Sequence, residues 1–249
     1  HPDFLGADDL HIKVEELRDA TDYQVPILVK MGATRPYFDT AVAAKSGVDV
    51  IVLDGMAGGT GASPELLLDH TGVPTMSAIA AARRALDDTG MSGKVKLVAA
   101  GGIRSGVDVA KCLALGADAV SVGQGVLMAL GCNSETYMKN GEHIDATADY
   151  EKIGTAPGFC HHCHTGKCPV GVTTQDPELE LRLEPAVGAK RLKNYFKTMN
   201  MELTTIARAC GKGDVHHLER EDLVALSIEA AAMAGIPLAG TQWIPGRGI

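Results

Sequence analysis

Three of the chain's six cysteines, Cys160, Cys163 and Cys168, fall within nine residues at Cys-x2-Cys-x4-Cys spacing. His161, His162 and His164 lie between them, and Pro169 follows directly. Thiolates that converge from one tight turn suit soft metals and iron-sulfur clusters, and the Cys168-Pro169 step can supply a third ligand from the next turn. The residues alone leave four readings open: an iron-sulfur centre, a zinc site completed by one of the histidines, a Cys160 and Cys163 redox dithiol, or partly structural thiols. Cys112, Cys132 and Cys210 are the remaining candidates for a missing ligand.

A second set of chemistry-bearing residues lies upstream. Lys30 ends the apolar run Ile27-Leu28-Val29. A cation there either snorkels to water or stands at the mouth of a parallel sheet, where ligands collect. Gly58, Gly59, Thr60 and Gly61 belong to a loop rich enough in glycine to let a ligand approach backbone N–H groups. Gly101 and Gly102 follow one strand, and Gly123 and Gln124 follow the next. Two neighbouring strand, glycine-turn, helix units are the usual construction of a phosphate site late in a β/α barrel. Neither turn matches the dinucleotide Gly-x-Gly-x-x-Gly pattern. Arg104 either reinforces an anion site through a bidentate contact or is a solvated turn residue.

These residues need elements to position them. Strands are expected at residues 27 to 30, 48 to 54, 94 to 100 and 118 to 122, alternating with helices, which is the rhythm of an α/β fold. A closed barrel takes eight strands and about 250 residues, so a TIM (β/α)8 barrel is represented here by its carboxyl-terminal half, with strands missing upstream. A small open α/β sheet is the alternative. Residues 133 to 159 read as a polar excursion with weak periodicity. Ala189 to Ala209 reads as a long amphipathic helix that packs on a barrel exterior or a partner, and Leu223 to Ala232 as another helix. Residues 1–131 are thus expected to form the half barrel, 132–178 an iron-sulfur segment, and 179–249 a helical extension and tail.

The 249 residues include 29 glycines and carry a net charge of −8, with no basic stripe, which argues against a nucleic-acid partner. No long apolar run implies a transmembrane span, and unpaired cysteines point to a reducing, cytoplasmic setting.

Taken together, Gly58 to Pro64, the Gly101-Gly102 turn, Leu130-Gly131-Cys132 and the run from Cys163 to Pro177 closely resemble the carboxyl half of the FMN-binding synthase domain of glutamate synthases. The chain is similar in particular to the glutamate-synthase-like subunit of N-methylglutamate synthase. The resemblance implies a TIM barrel with FMN phosphate on the late glycine turns and a nearby [3Fe-4S] cluster. It implies that Lys30 lies near flavin and a 2-oxo acid, that Gly58 to Gly61 border that chamber, and that Gly101, Gly102, Gly123 and Gln124 hold the phosphate. The family's ligand pattern is Cys-x5-Cys-x4-Cys. Cys163 and Cys168 match its last two positions, Cys132 stands in the context of the first, and Cys160 is the rival. If all four ligate, the cluster is [4Fe-4S]. The implied reaction is reductive amination of 2-oxoglutarate with ammonia, or with methylamine in the N-methyl variant. The implied partners are a glutaminase domain or subunit and ferredoxin or a pyridine-nucleotide-linked donor subunit, in a hetero-oligomer. A non-catalytic metal-binding scaffold subunit and a 2-hydroxy-acid oxidoreductase are the competing readings.

Overall fold

In a computed structural model that describes residues 5–59 and 63–246, short runs of β-branched and small apolar residues become parallel strands. These are β1 (Leu28–Gly32), β2 (Val50–Asp54), β3 (Lys96–Ala100) and β4 (Ala119–Ser121), paired in the order β1-β2-β3-β4. The boundaries lie within two residues of the expected ones. Before and between the strands run α1 (Ala7–Ala20), α2 (Pro36–Lys45), α3 (Glu65–His70), α4 (Thr75–Asp88) and α5 (Gly106–Ala114), and α6 (Gln124–Leu130) follows β4. Local chemistry sets several ends. Pro36 starts α2, where its fixed φ suits the first turn. Ser105 and Asp108 form a capping box at α5.

The two faces of the sheet differ. Ile51, Leu53, Leu97 and Ala99 point beneath the helices and are at most 1% exposed. The opposite face carries Lys30, Val52, Val98 and Ala119 in one register row. There Lys30 and Ala119 are exposed and the two valines are half-buried. Parallel sheets are ordinarily covered on both faces. Among the described residues, this one has helices on one.

One clamp is used twice at the edge where strands begin. Arg18 donates to the Gly47 carbonyl at 2.5 Å and to Asp49 at 3.0 Å, while Asp49 accepts the Ile27 N–H at 2.7 Å. Arg83 donates to the Gly116 carbonyl and, at 3.0 Å, to Asp118, while Asp118 accepts the Leu97 N–H at 2.9 Å. Gly47 and Gly116 sit at φ +90° and +108°, a region open to glycine and strained for other residues. Each carboxylate thereby ties the start of its own strand to the start of the strand before it.

Beyond α6, the polar excursion expected over residues 133 to 159 contains regular elements. Residues 136–145 form an antiparallel hairpin, β5 (Thr136–Lys139) and β6 (Glu142–Asp145), followed by α7 (Thr147–Lys152). Asn140 and Gly141 turn it with φ of +53° and +83°. Asn-Gly with both central residues at positive φ is the favoured two-residue hairpin turn. Arg182 holds the module down: it donates to Asp149 at 2.6 Å and to the Pro169 carbonyl at 2.7 Å, and lies over the Tyr137 ring.

After the short α8 (Pro177–Glu180), the long helix is α9 (Pro185–Ala209). It packs on α5 and α6, and its Met199 joins the core built by the strands. The last helix, α10 (Ile228–Ala234), starts five residues later than expected. Ser227 caps it by accepting the Ala230 N–H. Ala225 is instead engaged with the tail, donating to Pro237 and accepting from Ala239. Its neighbourhood joins the same core, which therefore draws on residues from Val14 to Ile236. No helix among the described residues is long and apolar enough to cross a membrane.

Candidate functional site

At the carboxyl ends of β1 and β2 lies a cleft of about 280 Å³, lined by Lys30, Asp54, Gly55, Met56, Gly58 and the turn around Gly72. Parallel sheets place ligands at this edge. The Lys30 ammonium stands 3.1 Å from Asp54. The lysine side chain is 62% exposed and the aspartate 16%, so a firmly seated carboxylate holds a cation that still faces open space. The pairing follows from register: Lys30 lies beside Val52, and Asp54 is the next residue on the same face.

Glycine makes the loops above this pair possible. A Cβ at Gly58 would fall 1.8 Å from Asp54 Oδ1, and one at Gly55 would fall 2.1 Å from Thr75 Oγ1. Across the boundary between β2 and β3, Gly101 has φ +96°, and a Cβ there would meet the Gly55 carbonyl at 2.8 Å. Thr75 fixes this contact by donating to the Gly101 carbonyl at 2.8 Å. Gly102 has φ +74° and would press against Ala57, whereas Gly123 borders open space.

The positive end of α5 is already occupied. Asp108 accepts the Arg104 and Ser105 N–H groups, and Glu202 of α9 accepts the Gly106 N–H at 2.8 Å. An anion at this rim is therefore left with the Gly101-Gly102 turn and the start of α6 rather than with the α5 terminus. Tyr195 of α9 bridges the two turns. Its hydroxyl donates to the Arg104 carbonyl at 2.8 Å and fills the space in which a Cβ of Gly125 would sit. Arg104 itself is exposed.

The cysteine region forms a second neighbourhood. Gly131 ends α6 in a left-handed conformation, and Cys132 follows. The chain then makes the hairpin and α7 and returns at Cys160, next to where it left. Asn133 closes this neck: the Cys160 N–H donates to Asn133 Oδ1 at 2.8 Å, and Asn133 Nδ2 donates to the Cys160 carbonyl at 3.0 Å. Cys163 starts a single helical turn ended by Gly166 at φ +74°. Cys168 is buried with Ala146, Tyr150 and Val170, and Cys160 packs on that group. Burial, and then the nearby Cys163, Cys168 and Cys160, push the Cys132 thiol up to about 11. Burial also raises Cys160, with Cys168 and Cys163 adding to it. Cys132 and Cys160 thus share a region in which burial, with the neighbouring thiols, disfavours the thiolate form.

The structure places the expected residues in two groups. Lys30, Gly58 and Gly59 line the cleft, with Gly101 against its wall. Cys132, Cys160, Cys163 and Cys168 are brought together over a sequence separation that their spacing does not reveal. Thr60 and Gly61 lie outside the described residues. The expected iron-sulfur loop is not evident as a finished metal site: among the described residues, no group of three or more His, Cys, Asp or Glu is gathered where one ion could sit. A single Zn²⁺ about 2.3 Å from each thiolate would draw its sulfurs within about 4 Å of one another. The rings of His161, His162 and His164 instead stack nearly parallel along the segment, with centroids 5.0 and 6.4 Å apart. Sequence reasoning missed Asp54, Thr75, Asn133, Arg182 and Tyr195. Only Asp54 had a signal, as a carboxylate ending a strand just before a glycine loop.

Comparison with known proteins places this arrangement in context. Residues 1–140 and 148–213 match the family model described as a conserved region in glutamate synthase. The break falls within the β5 to β6 hairpin and the start of α7. A glutamate synthase large subunit-like protein of Rhizobium meliloti (strain 1021) is 54% identical over 248 residues, covering 100% of this chain and 54% of that protein. An archaeal glutamate synthase [NADPH] of Methanocaldococcus jannaschii is 36% identical over 245 residues, covering 96% and 43%. The chain thus spans about half the length of these curated relatives. Among solved structures, a flavocytochrome b2 variant with sulfite bound superposes with a TM-score of 0.52 at 20% identity, covering 84% of this chain and 37% of the other. That likeness relates the folds.

Proposed function

Since the chain belongs to the glutamate synthase family, we propose that it carries the flavin and electron-relay end of a glutamate-synthase-type oxidoreductase, which reductively aminates 2-oxoglutarate with the help of FMN. The observation that carries this reading is the Lys30 ammonium, held 3.1 Å from Asp54 in a cleft walled by the glycine contact between the β2 and β3 loops. The residues fit a flavin nucleotide. Positive-φ glycines at 101 and 102 form a cradle that side chains would fill, and Gly123 opposite them faces open space.

FMN, when bound, supplies the hydride chemistry. The chain supplies position and field. Gly101, Gly102, Gly123 and Gln124 hold the phosphate through backbone N–H groups, with Arg104 at the edge of the nest. Gly58 and Gly59 would leave room for the flavin beside Lys30, and Thr60 and Gly61, which lie outside the described residues, would border the same chamber. Lys30 pairs with a carboxylate of 2-oxoglutarate and orients its keto carbon, and Asp54 keeps the ammonium aimed into the cleft. Cys132, Cys163 and Cys168 serve a [3Fe-4S] relay, with Cys160 beside them. The support for this is that all four thiols are free and that Cys160 packs on the group that buries Cys168, although they are not gathered around one ion position among the described residues.

The amine comes from a glutaminase domain or subunit, or is methylamine itself, and electrons come from ferredoxin or a pyridine-nucleotide-linked subunit of a hetero-oligomer. Further β/α units of the longer protein cover the bare face of the sheet and complete a (β/α)8 barrel. Two measurements test the reading. Gly102→Glu fills and charges the nest, so flavin per chain should fall to near zero; unchanged flavin content rejects the phosphate assignment. Reduced protein should be reoxidised by 2-oxoglutarate together with ammonia or methylamine, and the faster amine identifies the donor.

A further inference from the structure

One helix reaches both of the turns assigned to phosphate. α9 packs on α5 and α6, the helices that follow those turns. The ladder between β3 and β4 ends at Ala100 and Ser121, so the turns lie beyond the last strand pair. We infer that Tyr195 of α9 is a positioning residue for the flavin phosphate of the function proposed above, on which this inference rests. Its hydroxyl sets the spacing between the turn at residues 101–105 and the turn at residues 122–125.

A single oxygen meets both turns. The Tyr195 hydroxyl donates to the Arg104 carbonyl at 2.8 Å. From the other turn, a Cβ at Gly125 would fall 2.4 Å from the same oxygen and 3.3 Å from the ring carbon that bears it. Non-bonded heavy atoms do not pack at the first of these distances, so the hydroxyl keeps its place only while residue 125 is glycine. Gly125 lies within α6, where the backbone itself would accept alanine and favour it. Its lack of a side chain therefore answers to Tyr195 rather than to the helix. Arg104 is held from its other side too, since its N–H donates to Asp108 at 2.9 Å. With both backbone groups bonded, the direction in which its exposed side chain leaves the turn is fixed.

α9 is itself placed by contacts outside the two glycine turns. Glu202 accepts the Gly106 N–H at 2.8 Å, and a Cβ at Gly106 would fall 2.1 Å from the Met199 carbonyl. Met199 and Leu203 pack on the core built by the strands. Tyr195, Met199, Glu202 and Leu203 follow one another at spacings of four, three and one, which is a single face of a helix. The helix is thus a fixed reference, and the hydroxyl passes its position to both turns. Burial, and then the carboxylates of Asp108 and Glu202, hold the Tyr195 phenol above its ordinary range. It stays a neutral donor instead of becoming an anion near a phosphate.

Riboflavin separates this role from a general structural one, because it carries the flavin ring without the phosphate. The complete protein is freed of flavin and titrated with FMN and with riboflavin, followed by flavin fluorescence. The wild type should hold FMN far more tightly than riboflavin. Tyr195→Phe keeps the ring and removes the donor, so the Kd for FMN should rise roughly three- to tenfold while that for riboflavin changes less than about twofold. Gly125→Ala should give the same FMN-selective loss by displacing the hydroxyl, and should add little once Tyr195→Phe has removed it. The Gly125→Ala titration decides even if Tyr195→Phe fails to fold. Equal losses for both ligands, or none for either, overturn the inference and leave the proposed function standing. So do losses that multiply in the double variant, which would set the new β-carbon against the phosphate itself. A wild type that binds FMN and riboflavin alike overturns the phosphate assignment and this inference with it, and one that binds neither overturns the flavin reading.

Discussion

Lys30 shows how much a single residue's role depends on its neighbours. Its place at the end of an apolar run could be read from the sequence; its partner could not, because Asp54 reaches it only through strand register. The pair makes separable predictions. Lys30→Met removes a charge-assisted contact to the oxo acid that we place here, a loss of about 1.5–3 kcal/mol. The KM for 2-oxoglutarate should therefore rise roughly ten- to a hundredfold, with flavin content intact; an unchanged KM rejects the assignment. Lys30→Arg should recover little of this, since a planar fork does not replace a compact ammonium. Gly58→Ala should reproduce the Lys30→Met defect without touching the lysine, because its β-carbon would occupy a position 1.8 Å from the Asp54 carboxylate and force that group aside. Overpacking of this kind also costs about 1–3 kcal/mol of stability, readable as a lowered midpoint in urea.

Among the elements, the β/α alternation was legible because strand and helix periods differ and because glycine punctuates both. The β5 to β6 hairpin was harder to see. Its Asn140-Gly141 turn is a strong signal, but its strands are four residues each with few apolar side chains, and Tyr137 packs both under the Arg182 guanidinium and on the cluster around Tyr150, so no alternation of apolar and polar residues marks them. The two Arg-to-Asp clamps were equally hidden, since each joins residues about 30 positions apart. They make a prediction about acid stability. At Asp118 burial pushes the carboxyl up, but the Leu97 N–H, Lys96 and Arg83 outweigh it and hold it below the usual range. Asp49 is likewise held down by the Ile27 N–H and Arg18 against burial. A carboxylate whose folded pKa is depressed contributes stability above its unfolded pKa, about 3.9, and that contribution is lost as pH falls through the lower folded value. The stability curve should therefore drop below about pH 4. Asp118→Asn should cost about 1–3 kcal/mol at neutral pH and flatten this drop, because a charge-assisted network is replaced by a neutral one. If the acid limb keeps its slope in Asp118→Asn, the clamp is not its source.

For the whole molecule, the sheet's two faces decide what the chain is built to meet. Ile51, Leu53, Leu97 and Ala99 sit in a dry core. Lys30, Val52 and Val98 stand on the other side of the same strands, with no helix over them among the described residues. The half-barrel reading explains this asymmetry by assigning the bare side to the interior of a longer barrel, and the relatives are about twice as long. Replacing valine by threonine tests it, since the two are nearly the same shape and differ in one hydroxyl, which costs about 1–3 kcal/mol where it is buried without a partner. Val48 is 3% exposed, so Val48→Thr should carry that full cost. In the 249-residue chain Val52→Thr should cost less than about 0.5 kcal/mol, the range of a surface change. In the longer protein, where further strands would dry that face, the cost of Val52→Thr should rise to match Val48→Thr. Equal costs at both positions already in the 249-residue chain would mean that the face is dry without those strands. If that cost also depended on protein concentration, a second copy of the chain would be the cover, and the half-barrel account of the bare face would have to be abandoned.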